Sequence, residues 1–135
     1  MNFIGVIAAI ATFFSIWFGH VAVRKVEFIS PTIWIPTTIF AAFGLIVEFL
    51  SLSTVHHPLS TVFGILGLIL LIDAFEFTRQ QHRIKKGYAP ANPNNPRHAN
   101  ILAEHPSATT LDLLKRNPIG HTGSTKKVTQ QISNF

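Results

Sequence analysis

The sequence predicts an all-α integral membrane protein, with three transmembrane helices and a partly extended, basic C-terminal tail. Three observations predict it. Mean hydropathy is +0.35 in a chain of 135 residues that still carries 11 Lys and Arg. Those charges are segregated: only Arg24 and Lys25 precede Phe77, and the other nine follow it. The apolar part divides into three runs near the ~20 residues that carry a helix across the hydrocarbon core. Two parts follow, a three-helix transmembrane domain over residues 1–86 and a Pro- and Asn-rich cytoplasmic tail over residues 87–135.

The first span, residues 3–23, contains no Lys, Arg, Asp or Glu. Met1-Asn2 supplies no basic leader region and no small-x-small cleavage site follows, which argues against a secretory signal. Arg24, Lys25 and Glu27 read as a short polar loop. The chain restarts at Ser30-Pro31, where a Pro in a first helical turn loses no hydrogen bond. The second span is residues 32–53, with Pro36 in its opening turn and Trp34 in an interfacial position. His56-His57-Pro58 makes a tight connection to the third span, residues 59–77. That helix is expected to run past the membrane through Gln80 and Arg83 to Lys86, with Gly87 as its stop and Pro90 beyond. Residues 89–100, with Pro90, Pro93, Pro96 and four Asn, read as an extended linker. Thr109 and Thr110, then Asp112, then Lys115 and Arg116 predict a short capped helix near 110–116.

Basic residues favour the cytoplasmic side. Arg24 and Lys25 follow the first span, and Arg79, Arg83, Lys85 and Lys86 follow the third. The connection between the second and third spans has no Lys or Arg. Three spans place the two basic groups on one side, so the N-terminus is expected outside and the C-terminus in the cytoplasm. Arg79, Arg83, Lys85 and Lys86 are then expected to meet anionic lipid headgroups.

Ionisable side chains inside spans are costly and often functional. His20, Asp73 and Glu76 lie toward the cytoplasmic end. Asp73, Glu76, Gln80 and Arg83 recur at helical spacing, and Arg24, Lys25 and Glu27 are close by. These eight residues form a candidate polar cluster. It reads either as pairing that locks the helices together, His20 or Arg24 with Asp73 or Glu76, or as a proton relay or cation site. Glu48 with His56 and His57 is a weaker metal candidate at the other end, since a His pair in a turn is not a specific ligand pattern. His20 alone also allows an axial-ligand reading.

The chain has no Cys, which excludes disulfides, thiolate metal sites and thiol chemistry of its own. It has no Gly-rich phosphate loop, zincin motif or nucleophile elbow, so no enzyme activity is expected. No cofactor is predicted. The basic residues begin where the last apolar run ends, and they lack interleaved aromatics. Membrane lipid is the expected partner rather than nucleic acid.

The stretch Glu76-Phe-Thr-Arg-Gln80-Gln-His-Arg83-Ile84-Lys-Lys86-Gly87-Tyr88-Ala-Pro90-Ala-Asn92-Pro93 resembles the end of the DUF4491 family, small bacterial membrane proteins of unknown function. Asn2-Phe3, Gly5, Ala11-Thr12-Phe13, His20, Lys25, Glu27, and Leu59-Ser60-Thr61 with Gly64 agree with the rest of its pattern. The resemblance covers roughly residues 1–93. It implies three helices and a bacterial inner membrane, attaches no activity, and singles out His20, Lys25, Glu27, Glu76, Gln80 and Arg83. Two departures stand out. Members place Pro directly after the His, where this chain has Val21, and the tail from Asn94 is longer than is typical.

Small size and a long tail point to a non-catalytic protein that packs against other membrane subunits or against itself. A small ion- or proton-handling protein built on His20, Asp73 and Glu76 is the alternative. A cofactor-binding subunit with His20 as ligand is a third reading.

Overall fold

In the computed structural model, which describes residues 3–112 and Lys115, the chain is all-helical. The helices are α1 (Ile4–Ile29), α2 (Trp34–Ser53), α3 (His57–Lys85) and α4 (Pro96–Glu104). The first three are each long and apolar enough to cross a membrane. At 1.5 Å per residue, α1 is about 39 Å long and α3 about 43 Å, so both outreach the hydrocarbon core. Most of their large apolar side chains are exposed, among them Phe13, Phe14, Trp17, Phe43, Phe49 and Phe75. In water such surfaces would aggregate; in lipid they are ordinary.

The three spans form one layer with α3 in the middle. It packs against α2 and α1, while α1 and α2 scarcely meet. The α2–α3 seam is antiparallel. Phe40 meets Phe77 edge-to-face at 5.0 Å between ring centroids. Near the hairpin the Ser51 hydroxyl donates to the Ser60 carbonyl at 2.8 Å, and the Ser60 hydroxyl donates to the Ser51 carbonyl at 2.9 Å. Gly44 and Gly67 together allow the two helices to approach closely. A β-carbon on Gly44 would stand 2.8 Å from Leu71 Cγ and 3.0 Å from the Gly67 carbonyl oxygen. α1 runs parallel to α3, with Gly19 against Asp73.

Three boundaries differ from the sequence reading. The polar residues Arg24, Lys25 and Glu27 are not a loop; α1 continues through them to Ile29. The helical hydrogen bonds cost nothing extra in water, so a helix need not end where its apolar run does. The linker expected over residues 89–100 turns helical at Pro96. Asn95 is its N-cap, with Oδ1 accepting from the Arg97 N–H at 3.0 Å, and Pro96 sits where the missing N–H does no harm. Of the helix expected near 110–116, Thr110, Leu111 and Asp112 are not helical, and Leu113, Leu114 and Arg116 lie outside the described residues.

The end of α3 behaves as expected. Gly87 has φ of +76°, the left-handed conformation that suits glycine. The Tyr88 N–H donates to the Arg83 carbonyl at 2.8 Å and the Gly87 N–H to the Ile84 carbonyl at 3.0 Å. This is a Schellman motif, which turns the chain back over the helix end. The returning segment buries Ala89, Ala91 and Ile101 against Ile84, with Leu102 and Ala108 alongside. The Ser107 hydroxyl donates to the Lys85 carbonyl at 2.7 Å. The segment after α3 is therefore a cap folded onto the bundle.

Candidate functional site: a buried polar cap and a deep carboxylate

The C-terminal turn of α1 exposes carbonyls with no partner inside the helix. The cap supplies partners from more than sixty residues downstream. Asn92 Nδ2 donates to the Phe28 carbonyl at 3.1 Å. Asn95 Nδ2 donates to the same carbonyl at 3.2 Å and to that of Ser30 at 2.9 Å. Arg97 Nη2 donates to the Glu27 carbonyl at 2.8 Å. The guanidinium also brings positive charge to the negative end of the α1 dipole.

Glu27 is fully buried, and its carboxylate is the centre of the cap. Arg97 Nη2 stands 2.9 Å from Oε1 and His98 Nε2 3.1 Å from the same atom. His98 is completely buried. The Asn92 N–H donates to its Nδ1 at 2.9 Å, which leaves Nε2 facing the carboxylate and, at 3.0 Å, Arg97 Nη2. Every polar contact in this group crosses from α1 to the cap or braces a residue that does.

The second polar site lies deeper, between α1 and α3. Asp73, Glu76 and Gln80 are buried on one face of α3, as their spacing predicts, whereas Arg83 is exposed. Asp73 packs on Gly19 so closely that a β-carbon there would overlap its carboxylate. Its Oδ2 is buried without a hydrogen-bond partner, and His20 and Glu76 lie within electrostatic range. Glu76 pairs with Arg79 at 2.7 Å, one turn along its own helix, rather than with His20 or Arg24. Arg83 Nη1 reaches Gln80 Oε1 only at 3.5 Å. His20, Arg24 and Lys25 are exposed on α1.

The eight residues read as one cluster thus divide. Asp73 with His20 and Glu76 is one group, and Glu27 belongs to the cap. Sequence reasoning missed Asn92, Asn95, Arg97 and His98. Their signal was Asn95-Pro96, a helix-start pair inside a stretch whose prolines read as a linker.

Glu48, His56 and His57 are not brought together. The Glu48 side chain lies over Gly67 in the α2–α3 seam, while both His are exposed at the start of α3. Ten residues of α3 separate Gly67 from His57, about 15 Å along the axis. Among the described residues, no three His, Asp or Glu are grouped as a metal site would need. Arg79, Arg83, Lys85 and Lys86 surround an open recess at the end of α3, together with Tyr88.

No curated protein and no solved structure matches this chain. A family model does match, over residues 2–95, which takes in all three spans and ends on the residue that caps both α1 and α4. The chain belongs to the DUF4491 family, a domain of unknown function.

Proposed function

We propose that this protein is a non-catalytic membrane subunit that works by lateral association, with other membrane proteins or with copies of itself. The observation that carries the reading is the single-layer arrangement. Along their length α1 and α2 each pack against α3, with α4 touching α1 only at its C-terminal end, so each keeps a face uncovered. On α1 that face includes Gly5 and Ala9, one turn apart and exposed, with open space around Gly5. Small residues at that spacing let a second helix approach closely in lipid. The cap braces the basic end of the layer and leaves its flanks free. In this reading the basic end, with Arg24, Lys25, Arg79, Arg83, Lys85 and Lys86, faces the cytoplasm. The test is purification in mild detergent from the native membrane, with mass and co-purifying chains recorded. A defined larger particle supports the proposal, and a monomer without partners sinks it.

A second reading, ion or proton handling, is favoured by one observation: the Asp73 oxygen buried between α1 and α3 without a partner. Such an atom is open to a proton or a small cation. Asp73→Asn should then abolish ion-dependent activity in reconstituted vesicles while the protein stays folded and inserted. Loss of folding in that variant would assign Asp73 to packing instead.

A further inference from the structure

We propose that the groove beside the last two turns of α1 binds one anionic phospholipid, with Arg24 and Lys25 holding its phosphate. The groove has a volume of about 760 Å³ and is lined by Val21, Phe28 and Gln80, by Pro90 and Pro93 of the strap, and by Asp112 and Lys115. That volume is in the range of small-ligand sites.

Three features fix the chemistry of the occupant. The first is unanswered positive charge. Among the described residues, neither the Arg24 nor the Lys25 side chain has an ion-pair or hydrogen-bond partner. The second is the state of the carboxylates. Two line the groove, Glu27 and Asp112; Arg97 and His98 both hold Glu27 Oε1, and among the described residues neither carboxylate is paired with Arg24 or Lys25, while Lys115 adds a third cation to the lining. The third is the apolar track leading to them. Trp17, Val21, Arg24 and Phe28 follow one another at spacings of four, three and four, which is one face of a helix. Trp17 and Val21 are exposed below Arg24. From Trp17 to Arg24 is about 10 Å along the helix. A cationic head site at the top of an apolar track fits an amphiphile with an anionic head, and the membrane supplies phospholipids of that kind. Arg binds phosphate oxygens through two N–H groups at once, and Lys adds a point charge.

The test uses the full chain with Trp34→Phe, which leaves Trp17 as its single tryptophan. It is reconstituted in phosphatidylcholine vesicles with a minor fraction of phosphatidylglycerol, bromine being carried on the chains of either lipid. Bromine quenches a tryptophan that it touches. At equal bromine content, the labelled phosphatidylglycerol is expected to quench Trp17 several-fold more than labelled phosphatidylcholine. The preference should vanish in Arg24→Gln/Lys25→Gln and persist in Lys85→Gln/Lys86→Gln, which removes the same charge outside the groove. Inorganic phosphate should not displace it. Equal quenching by the two lipids overturns the proposal. Equal loss in both double variants does so too, by assigning the effect to diffuse surface attraction, and displacement by phosphate would make this a site for free anions. Independently of any variant, native mass spectrometry of the protein released from these vesicles should show one retained phosphatidylglycerol. Release free of lipid counts against the site.

Discussion

Glu27 and Arg97 stand seventy residues apart in the chain and 2.9 Å apart in the fold, in an ion pair whose carboxylate is buried and whose guanidinium is nearly so. Removing one member of a buried pair leaves the other uncompensated, at a cost of about 3–5 kcal/mol. Arg97→Met should therefore destabilise the cap by that order. The double variant Glu27→Leu/Arg97→Met should lose less than the sum of the two single changes. Denaturant unfolding in detergent micelles, followed by helical circular dichroism, checks both expectations.

Asn95 serves two helices, as N-cap of α4 and as donor to the last carbonyls of α1. An ordinary Asn N-cap contributes about 1 kcal/mol. Asn95→Ala should cost roughly twice that, since the hydrogen bonds to α1 add a contribution of similar size. Asn94, exposed next to it, is the control, and Asn94→Ala should leave the unfolding midpoint unchanged.

Gly19→Ala should loosen the α1–α3 contact, because the added methyl meets the Asp73 carboxylate. Overpacking of this kind costs about 1–3 kcal/mol. Gly5→Ala, with open space around it, should leave the isolated chain as stable as before. Adding Asp73→Ala should relieve part of the Gly19→Ala defect. Cysteine pairs placed across α1 and α3 would report the loosening as slower cross-linking.

Gly87→Ala places a side chain at φ of +76° and against the Ser107 carbonyl. The left-handed backbone alone costs about 1 kcal/mol or more for a residue with a β-carbon. The collision falls on the cap, so hydrogen exchange should quicken in α4 and leave α2 as slow as before. Uniform acceleration across the chain would contradict a separable cap.

The three spans were legible because each is written as a long run broken by no more than two ionisable residues, and lipid favours helix within such a run. Gly87 as the stop of α3 and the shared face of Asp73, Glu76 and Gln80 were legible for local reasons, a conformational need and a period. The partners of Glu27 were not. Arg97 and His98 reach it through a turn at Gly87 and a strap whose path no local signal specifies. The division of the polar residues into two sites depends on the same long-range closure. Glu76 illustrates the remaining limit: its spacing suits His20 on a neighbouring helix as well as Arg79 on its own, and only the packed structure decides for Arg79.

The central position of α3 also sets an order of assembly. As synthesis proceeds, α1 and α2 enter the membrane with almost no surface for each other, so the pair has little to hold it in register. Both must wait for α3, the last of these three to be made, which supplies the seam for each. Closure waits longer still, because the residues that lock the end of α1 follow α3 in the chain. A nascent chain halted between Lys85 and Asn92 would carry all three spans and still leave the end of α1 open to a chaperone or a protease.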